Sequence, residues 1–180
     1  MAASYLLARG IEVCEADTLA HEVLTEGSEV YEAVVERFGS GVLTQSGAID
    51  RQTLGEQVFC SEEDRLALNA LVHPAVEAAW EAWLESRQGG MAVVVVPLLF
   101  EAGYAEGWDA VICVCALHAT RMARLRERGL TEAQAEARIK AQWPEKEKAA
   151  RADYVLWNDG TAGCLERQVA RVLDSMKRGQ

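Results

Sequence analysis

Three runs of the chain are apolar without the alternation of a half-exposed strand. They lie at residues 91–96 (MAVVVV), 109–116 (DAVICVCA) and 154–157 (YVLW). Such runs are typical of strands that are buried on both faces, as in parallel sheets covered by helices. A shorter apolar segment at residues 11–14 predicts a further strand of the same kind.

The segments between these runs predict helices, several of which begin at a good capping residue. Ser28, Asp50 and Ser61 each precede a predicted helix, and Thr131 with Gln134 matches the capping-box pattern. The predicted helices span residues 2–9, 18–24, 28–38, 50–59, 61–72, 74–87, 120–128, 132–143 and 162–177, and residues 39–50 predict a glycine-rich loop or small hairpin.

One helix boundary is predicted from a proline. Pro74 directly follows His73. Proline restarts a helix better than it continues one, because it lacks the N–H that an interior position donates. We therefore expect the helix that begins at Ser61 to end near residue 72 and a new helix to begin at Pro74.

Strands that alternate with helices predict a doubly wound α/β sandwich, in which ligands bind beyond the carboxyl ends of the strands. Glu101 follows the strand at 91–96, and Glu15 and Asp17 follow the strand at 11–14. The sequence therefore predicts a binding crevice that these carboxylates line.

Composition narrows the class of protein. The chain has 180 residues, enough for one domain, and its net charge of −10 argues against general nucleic-acid binding. Its longest apolar run is too short to span a membrane. Its five cysteines include no CxxC pair, which indicates small buried thiols rather than a metal site, and its three histidines lack ligand spacing. We expect a soluble, cytoplasmic protein.

The positive charges are concentrated in one segment. Residues 121–151 hold 9 of the 18 Lys and Arg residues but only 5 of the 28 acidic residues. Such a segment is either a solvated helix face or a binding site for a compact polyanion such as a nucleotide.

Carboxylates at two strand ends together with an arginine-rich segment suggest phosphoryl transfer. That reaction needs Mg²⁺ near phosphates, a carboxylate to orient or deprotonate the attacking hydroxyl, and cations for transition-state charge. Glu15 or Asp17 suits the role of metal ligand or of base. The candidate cations are Arg121, Arg124, Arg126, Arg128 and Arg138. The structural alternatives are Asp17 as a helix N-cap and Glu101 as a partly buried acid bonded to backbone amides.

The usual phosphate-binding loop does not occur in these residues. The sequence contains no GxxxxGK[ST] motif, and its first lysine is Lys140. Phosphoryl transfer from ATP usually depends on such a loop, whose backbone N–H groups surround the phosphates.

Five motifs in order resemble the dephospho-CoA kinase family over nearly the whole chain. They are GIEVCEAD, LNALVHPAV, VVPLLFEAGY, RERGLTEAQAEARIKAQ and KAARADYVLWNDG. The resemblance implies a three-layer, P-loop-kinase-like parallel sheet in a single domain over residues 1–180, with a helical substrate-side insertion at about 25–90 and a lid at about 120–151.

The family begins with a strand and a P-loop, and MAASYLLARG resembles the helix that follows that loop. We therefore expect the first strand and the P-loop to be missing from these 180 residues. A truncated or misplaced start is favoured over loss of the loop in the lineage. We also expect weak activity from the chain as written.

The resemblance implies an ATP- and Mg²⁺-dependent kinase that phosphorylates the ribose 3′-hydroxyl of dephospho-CoA, the last step of coenzyme A biosynthesis. Asp17 is expected to be the base and Glu15 to lie near the metal or its waters, although either acid could be the base. Arg128 and Arg138 would belong to the lid over the ATP phosphates, and Asn158 would lie near the adenine.

Three residues are assigned to the dephospho-CoA side by the same resemblance, namely His73, Leu99 and Glu101. His73 is equally well explained as a structural cap before Pro74. Two alternative functions stay open: a non-catalytic protein that binds dephospho-CoA or CoA, and another P-loop small-molecule kinase. The oligomeric state cannot be predicted from the sequence.

Overall fold

The computed structural model describes residues 2–87 and 89–178. The helices are α1 (Ala2–Leu7), α2 (Ala16–Glu22), α3 (Glu29–Phe38), α4 (Arg51–Cys60), α5 (Glu62–Glu85), α6 (His118–Glu127), α7 (Glu132–Lys140), α8 (Glu145–Arg151) and α9 (Ala162–Arg178), with a 3₁₀ turn at Ser40–Val42. The strands are β1 (Glu12–Glu15), β2 (Ala92–Val95), β3 (Ile112–Cys115) and β4 (Tyr154–Trp157).

The strands form two parallel pairs. β1 pairs with β2, placing Cys14 opposite Val94, and β3 pairs with β4, placing Val114 opposite Leu156. Each pair belongs to one of two compact units: the inserted unit, residues 12–97, and the terminal unit, which combines residues 1–11 with 98–180. Parallel strands joined through helices confirm the predicted α/β class.

The core of the inserted unit forms where α3, α4 and the 3₁₀ turn meet. Val34, Phe38, Val42 and Leu54 are buried together. Their helices start where the sequence predicts, because the capping side chains make the expected bonds. The side chain of Ser28 accepts a hydrogen bond from the N–H of Tyr31, the Asp50 side chain from Gln52 and Thr53, and the Ser61 side chain from Asp64.

The predicted helix break at Pro74 is wrong, because α5 runs without interruption through it. An interior proline removes one helical hydrogen bond. Val76 and Trp80, on the carboxyl side of Pro74, are buried, whereas Pro74 itself is exposed. Burial of these two side chains offsets the missing bond, so packing overrides the local preference.

The terminal unit is organised around its last helix. Leu165, Val169 and Leu173 are buried at a spacing of four residues, which places them on one face of α9. That helix packs against α1 and β4, where Leu6 and Leu156 are also buried.

The expectation that the strands are buried on both faces is wrong. All four residues of β2 are only partly buried, and Val114 of β3 is 46% exposed. In the part of the chain that the structure describes, each strand pairs with a single neighbour, so its other edge has no partner strand.

The predicted helix over residues 132–143 ends early. The capping box of Thr131 and Gln134 is present, but α7 stops at Lys140. Pro144 then occupies the N-cap position of α8, which the sequence analysis did not predict. Among the residues described, no helix combines the length and apolar character needed to cross a bilayer.

Candidate active site

Glu15 and Asp17 lie at the carboxyl end of β1, as predicted. Glu15 is the last residue of the strand, and Asp17 lies in the first turn of α2. Both side chains are exposed, and within the described residues neither carboxylate makes a hydrogen bond or an ion pair. Both carboxylates are therefore available to a ligand.

The alternative role of Asp17 as a helix N-cap is wrong. Glu15 occupies the N-cap position of α2, and no side chain caps that helix in the structure. A carboxylate in the first turn still interacts favourably with the helix dipole. Asp17 therefore makes only a small electrostatic contribution to α2.

His73 lies inside α5, so it does not cap a helix before Pro74 as the structural alternative supposed. Its side chain is half-buried, and this burial lowers the pKa of the imidazole below its ordinary value. The neutral form of His73 is therefore favoured at neutral pH.

Residues 97–104 form a compact turn that follows β2 in sequence. Leu98 has a positive φ of 58°, which is unusual for a residue with a side chain. Its carbonyl accepts a hydrogen bond from the N–H of Ala102 at 2.8 Å, and the half-buried Leu99 accepts one from Tyr104 at 3.0 Å. These bonds fix the backbone on both sides of Glu101.

Glu101 contacts the segment between α7 and α8. Its Oε1 accepts a hydrogen bond from the backbone N–H of Trp143 at 2.9 Å and pairs with the ammonium of Lys148 at 3.4 Å. The side chains of Glu101 and Lys148 are each only 14% exposed. The expectation of a partly buried acid bonded to a backbone amide is therefore confirmed.

The environment of Glu101 favours its charged form. Burial raises the pKa of the carboxyl group, but hydrogen bonds from the backbone of Glu101 and Trp143 and the charge of Lys148 outweigh it. The net effect is a pKa below the ordinary glutamate value.

Glu145 anchors the start of α8 in a similar way. Its carboxylate pairs with Arg121 of α6 at 2.9 Å and accepts a hydrogen bond from the N–H of Ala116, just after β3, at 3.3 Å. Glu145 also contacts the thiol of Cys115, whose pKa is raised first of all by burial. Cys115 and Cys14 are buried thiols as predicted, whereas Cys60 is exposed.

The arginines of the basic segment fall into two groups. Arg121 binds Glu145, and Arg124 donates a hydrogen bond to the carbonyl oxygen of Asn158 at 2.7 Å. Within the residues described, the exposed side chains of Arg126, Arg128 and Arg138 make no ion pair or hydrogen bond. The first group stabilises the fold and the second is available to an anion.

Asn158 is held by its backbone at the carboxyl end of β4. Its N–H donates to the carbonyl of Cys115 at 2.8 Å, and its own carbonyl accepts from Arg124. The neighbouring carboxylate of Asp159 accepts a hydrogen bond from the N–H of Leu117 at 2.8 Å. The turn after β4 is thereby fixed against the residues that follow β3.

No pattern in the sequence indicated a role for Trp143, Glu145 or Lys148. Glu145 and Lys148 are three residues apart and therefore share one face of α8. Their pattern, PEKEK after Trp143, indicates a short helix after a proline, but no local signal identifies the distant partners Glu101 and Arg121.

Sequence comparisons relate most of the chain to one enzyme family. A family model described as dephospho-CoA kinase matches residues 1–163. The chain is 44% identical over 168 residues to a dephospho-CoA kinase of Geobacillus kaustophilus, covering 91% of this chain and 84% of the relative. It is 39% identical over 175 residues to a dephospho-CoA kinase of Thermobifida fusca, covering 96% and 88%.

Solved structures share the fold of this chain. A crystal structure of a Thermus thermophilus protein superposes with a TM-score of 0.80 at 33% identity, covering 96% of this chain and 88% of the other. A dephospho-CoA kinase from Campylobacter jejuni superposes with a TM-score of 0.72 at 25% identity, covering 99% and 90%.

Proposed function

Because the chain belongs to the dephospho-CoA kinase family, we propose that it transfers a phosphoryl group from ATP to the ribose 3′-hydroxyl of dephospho-CoA, yielding coenzyme A. The observation that carries the proposal is the 44% identity over 91% of the chain to a dephospho-CoA kinase. The unpaired carboxylates and arginines supply the chemical groups that phosphoryl transfer requires.

Asp17 is proposed as the base that accepts the proton of the 3′-hydroxyl, with Glu15 beside the metal or its waters. Support comes from their exposed carboxylates, which no protein cation neutralises among the described residues. An exposed carboxylate without a protein partner can accept the proton of a substrate hydroxyl or bind a cation.

Mg²⁺ is the cofactor implied by this chemistry, and these two carboxylates fit it. Mg²⁺ usually binds one or two protein carboxylates together with water and substrate phosphates. In the described chain no group of three or more His, Cys, Asp or Glu side chains could hold a metal by itself. A site completed by nucleotide phosphates agrees with that arrangement. When bound, the ion would neutralise phosphate charge.

Arg128 and Arg138 are proposed to contact the phosphates of ATP as part of a lid. Both are exposed and unpaired within the described region, although Arg121 and Arg124 nearby are engaged in structural contacts. An unpaired guanidinium can form a planar pair of hydrogen bonds with a phosphate. Asn158 is proposed to lie near the adenine, and its fixed backbone supports such a role.

His73 and Leu99 remain proposed dephospho-CoA contacts. The half-buried imidazole of His73 is predominantly neutral, and the backbone of Leu99 is fixed by its bond to Tyr104. Glu101 was predicted to belong to the same group, but its contacts favour a different role, which is developed below.

A coupled assay with ATP, Mg²⁺ and dephospho-CoA tests the proposal, with mass spectrometry of the product as an independent readout. We expect formation of coenzyme A that requires both substrates. Since these 180 residues contain no GxxxxGK[ST] motif, a version extended by a strand and this loop is assayed in parallel. Tight dephospho-CoA binding without turnover in either version would support the alternative, a non-catalytic binding protein.

A further inference from the structure

The four residues between α7 and α8, positions 141–144, contact neighbouring elements through Trp143. We call this segment the α7–α8 hinge. Trp143 donates its backbone N–H to Glu101. Its ring stacks on the buried ring of Phe100, with centroids 6.3 Å apart, and the guanidinium of Arg151 lies 4.6 Å from the ring centroid on Trp143. Contacts with the turn after β2 and with α8 therefore meet at this residue.

The carboxylate of Glu101 is committed to this contact. Its Oε1 accepts hydrogen bonds from the N–H of Trp143 and from the ammonium of Lys148. Its Oε2 is buried without a hydrogen-bond partner among the described residues. A buried acceptor without a hydrogen bond lowers the stability of the fold. It is retained only where the hydrogen bond and ion pair of the same carboxylate outweigh that loss. Because Lys148 compensates the charge and neither oxygen is open, Glu101 is poorly suited to bind a substrate.

The helices on either side of the hinge differ in how firmly they are held. α8 has two half-buried ion pairs, Lys148 with Glu101 and Glu145 with Arg121, whose side chains are 14–23% exposed. α7 has weaker contacts, because the side chain of Glu136 is 35% exposed and that of its partner His118 is 58% exposed. Exposed pairs contribute little to stability, so ion pairs hold α8 more firmly than α7, although Ala135 of α7 is buried and no residue of α8 is.

The opposite end of α7 follows a glycine turn that closes α6, where the N–H of Gly129 donates to the carbonyl of Arg126 at 2.9 Å. Gly129 lies between α6 and α7 with a positive φ of 90°, a conformation that glycine adopts without strain. Arg138 lies five residues before Trp143 in sequence, near the carboxyl end of α7. Its position therefore depends directly on how the α7–α8 hinge is held.

We propose that Glu101 is a positioning residue, which fixes the α7–α8 hinge through Trp143 and so sets the place from which Arg138 reaches the nucleotide. The proposal rests on the proposed function for the role of Arg138. It replaces the assignment of Glu101 to the dephospho-CoA side.

Hydrogen exchange of the 180-residue chain tests the anchoring step without requiring turnover. Glu101→Gln keeps an oxygen that can accept from Trp143 but removes the ion pair, and Glu101→Ala removes both. We expect the backbone amides of residues 141–143 to exchange about threefold faster in the first variant and about tenfold or more in the second, Pro144 having no amide hydrogen. Lys148→Met should resemble Glu101→Gln.

Glu166→Gln is the matched control. Glu166 also forms an ion pair in the terminal unit, with Arg9 at 3.5 Å, but its side chain is 48% exposed. The control should leave exchange of the hinge unchanged. Wild-type exchange rates at residues 141–143 in Glu101→Gln and Lys148→Met would overturn the proposal, and these two variants decide the matter if Glu101→Ala does not fold.

Ligand titrations separate positioning from substrate binding. In the version that carries the GxxxxGK[ST] loop, MgATP should increase protection of α7, and Glu101→Gln should lose at least half of that gain, while the Kd for dephospho-CoA, measured by calorimetry without ATP, stays within twofold. A tenfold weaker Kd for dephospho-CoA would instead return Glu101 to the substrate side. Equal protection of α7 by MgATP in both proteins would also contradict the proposal.

A double-mutant cycle tests the coupling of Glu101 to Arg138 by steady-state kinetics. It uses the 180-residue chain or the loop-containing version, whichever shows turnover. Glu101→Gln should lower kcat about tenfold at unchanged KM for dephospho-CoA, whereas adding it to Arg138→Ala should lower kcat little further, because the contact that Glu101 positions is already lost. Additive losses of kcat would show that Glu101 and Arg138 act independently, which would contradict the proposal. Absence of turnover in wild type would reject the proposed function, whereas the exchange experiments would still test the anchor.

Discussion

Glu15, Asp17 and Glu101 each follow a predicted strand in the sequence, but the fold gives them different hydrogen-bond and ion-pair partners. Glu101 has a backbone donor and an ammonium, whereas Glu15 and Asp17 have neither within the described residues. A carboxylate whose charge is already compensated can hold a structure, and one without partners can act on a substrate. This contrast is the basis for assigning structural and chemical roles.

Asp17 offers the sharpest test at this scale. Asp17→Asn removes the charge and the proton acceptor but keeps the size, so in a protein that carries the GxxxxGK[ST] loop kcat should fall about 100-fold or more with ATP affinity largely kept. Because Asp17 caps no helix, unfolding free energy should change by less than about 1 kcal/mol in denaturant titrations.

Two parallel variants make the Asp17 result specific. Glu22→Gln, an exposed acid at the other end of α2, should leave kcat unchanged. Glu15→Gln compares the neighbouring acid. A larger loss of kcat in Glu15→Gln than in Asp17→Asn would reverse the assignment of the base.

Among the elements, α7 and α8 show how a basic segment divides into parts with different roles. α8 binds the fold through Glu145 and Lys148, while α7 exposes Arg138. Within the described residues, Arg138 of α7 is exposed and makes no ion pair, so it is free to act on a ligand.

Arg138→Ala tests the lid role of α7 by steady-state kinetics in the loop-containing protein. A contact made mainly in the closed transition state should lower kcat more than it raises KM for ATP, and Arg138→Lys should restore only part, since an ammonium lacks the planar fork. Lys140→Ala, on the same helix, serves as the control and should have little effect. An unchanged kcat in Arg138→Ala would indicate a merely solvated helix face.

Pro74 provides a test at the level of α5. The helix passes through this exposed proline, so Pro74→Ala should allow the missing N–H bond to form. The gain is partly offset by the greater freedom of the unfolded chain, leaving a net stabilisation of roughly 1–3 kcal/mol. Urea titration at an unchanged m-value measures it, and a less stable variant would show that the proline fits its helix without strain.

At the scale of the whole molecule, the two strand pairs leave much apolar surface uncovered. β2 is only partly buried throughout, and Val114 is 46% exposed. Apolar strand surface contributes to stability only when another element covers it.

Extension of these 180 residues by an apolar strand and a GxxxxGK[ST] loop should therefore raise both stability and turnover. We expect kcat/KM to increase by about 100-fold or more, because backbone N–H groups and a lysine then contact the transferred phosphate. The Tm from thermal unfolding should rise as well. Equal turnover by both versions would show that the loop is dispensable in this chain.

The sequence by itself determined the α/β class, the strand positions to within three residues at each end, and the capped helix starts at Ser28, Asp50, Ser61 and Thr131. It could do so because caps and apolar runs act over a few neighbouring residues. It also identified the family, since five motifs survive in order along the chain.

Only the tertiary structure decided which charges are free. Glu101 meets Trp143 and Lys148 from more than forty residues away, and Arg121 meets Glu145 from 24 residues away. Continuity of α5 through Pro74 was likewise decided by packing. Such contacts depend on how distant elements fold together, and a local pattern contains no information on the partner that will neutralise a given side chain.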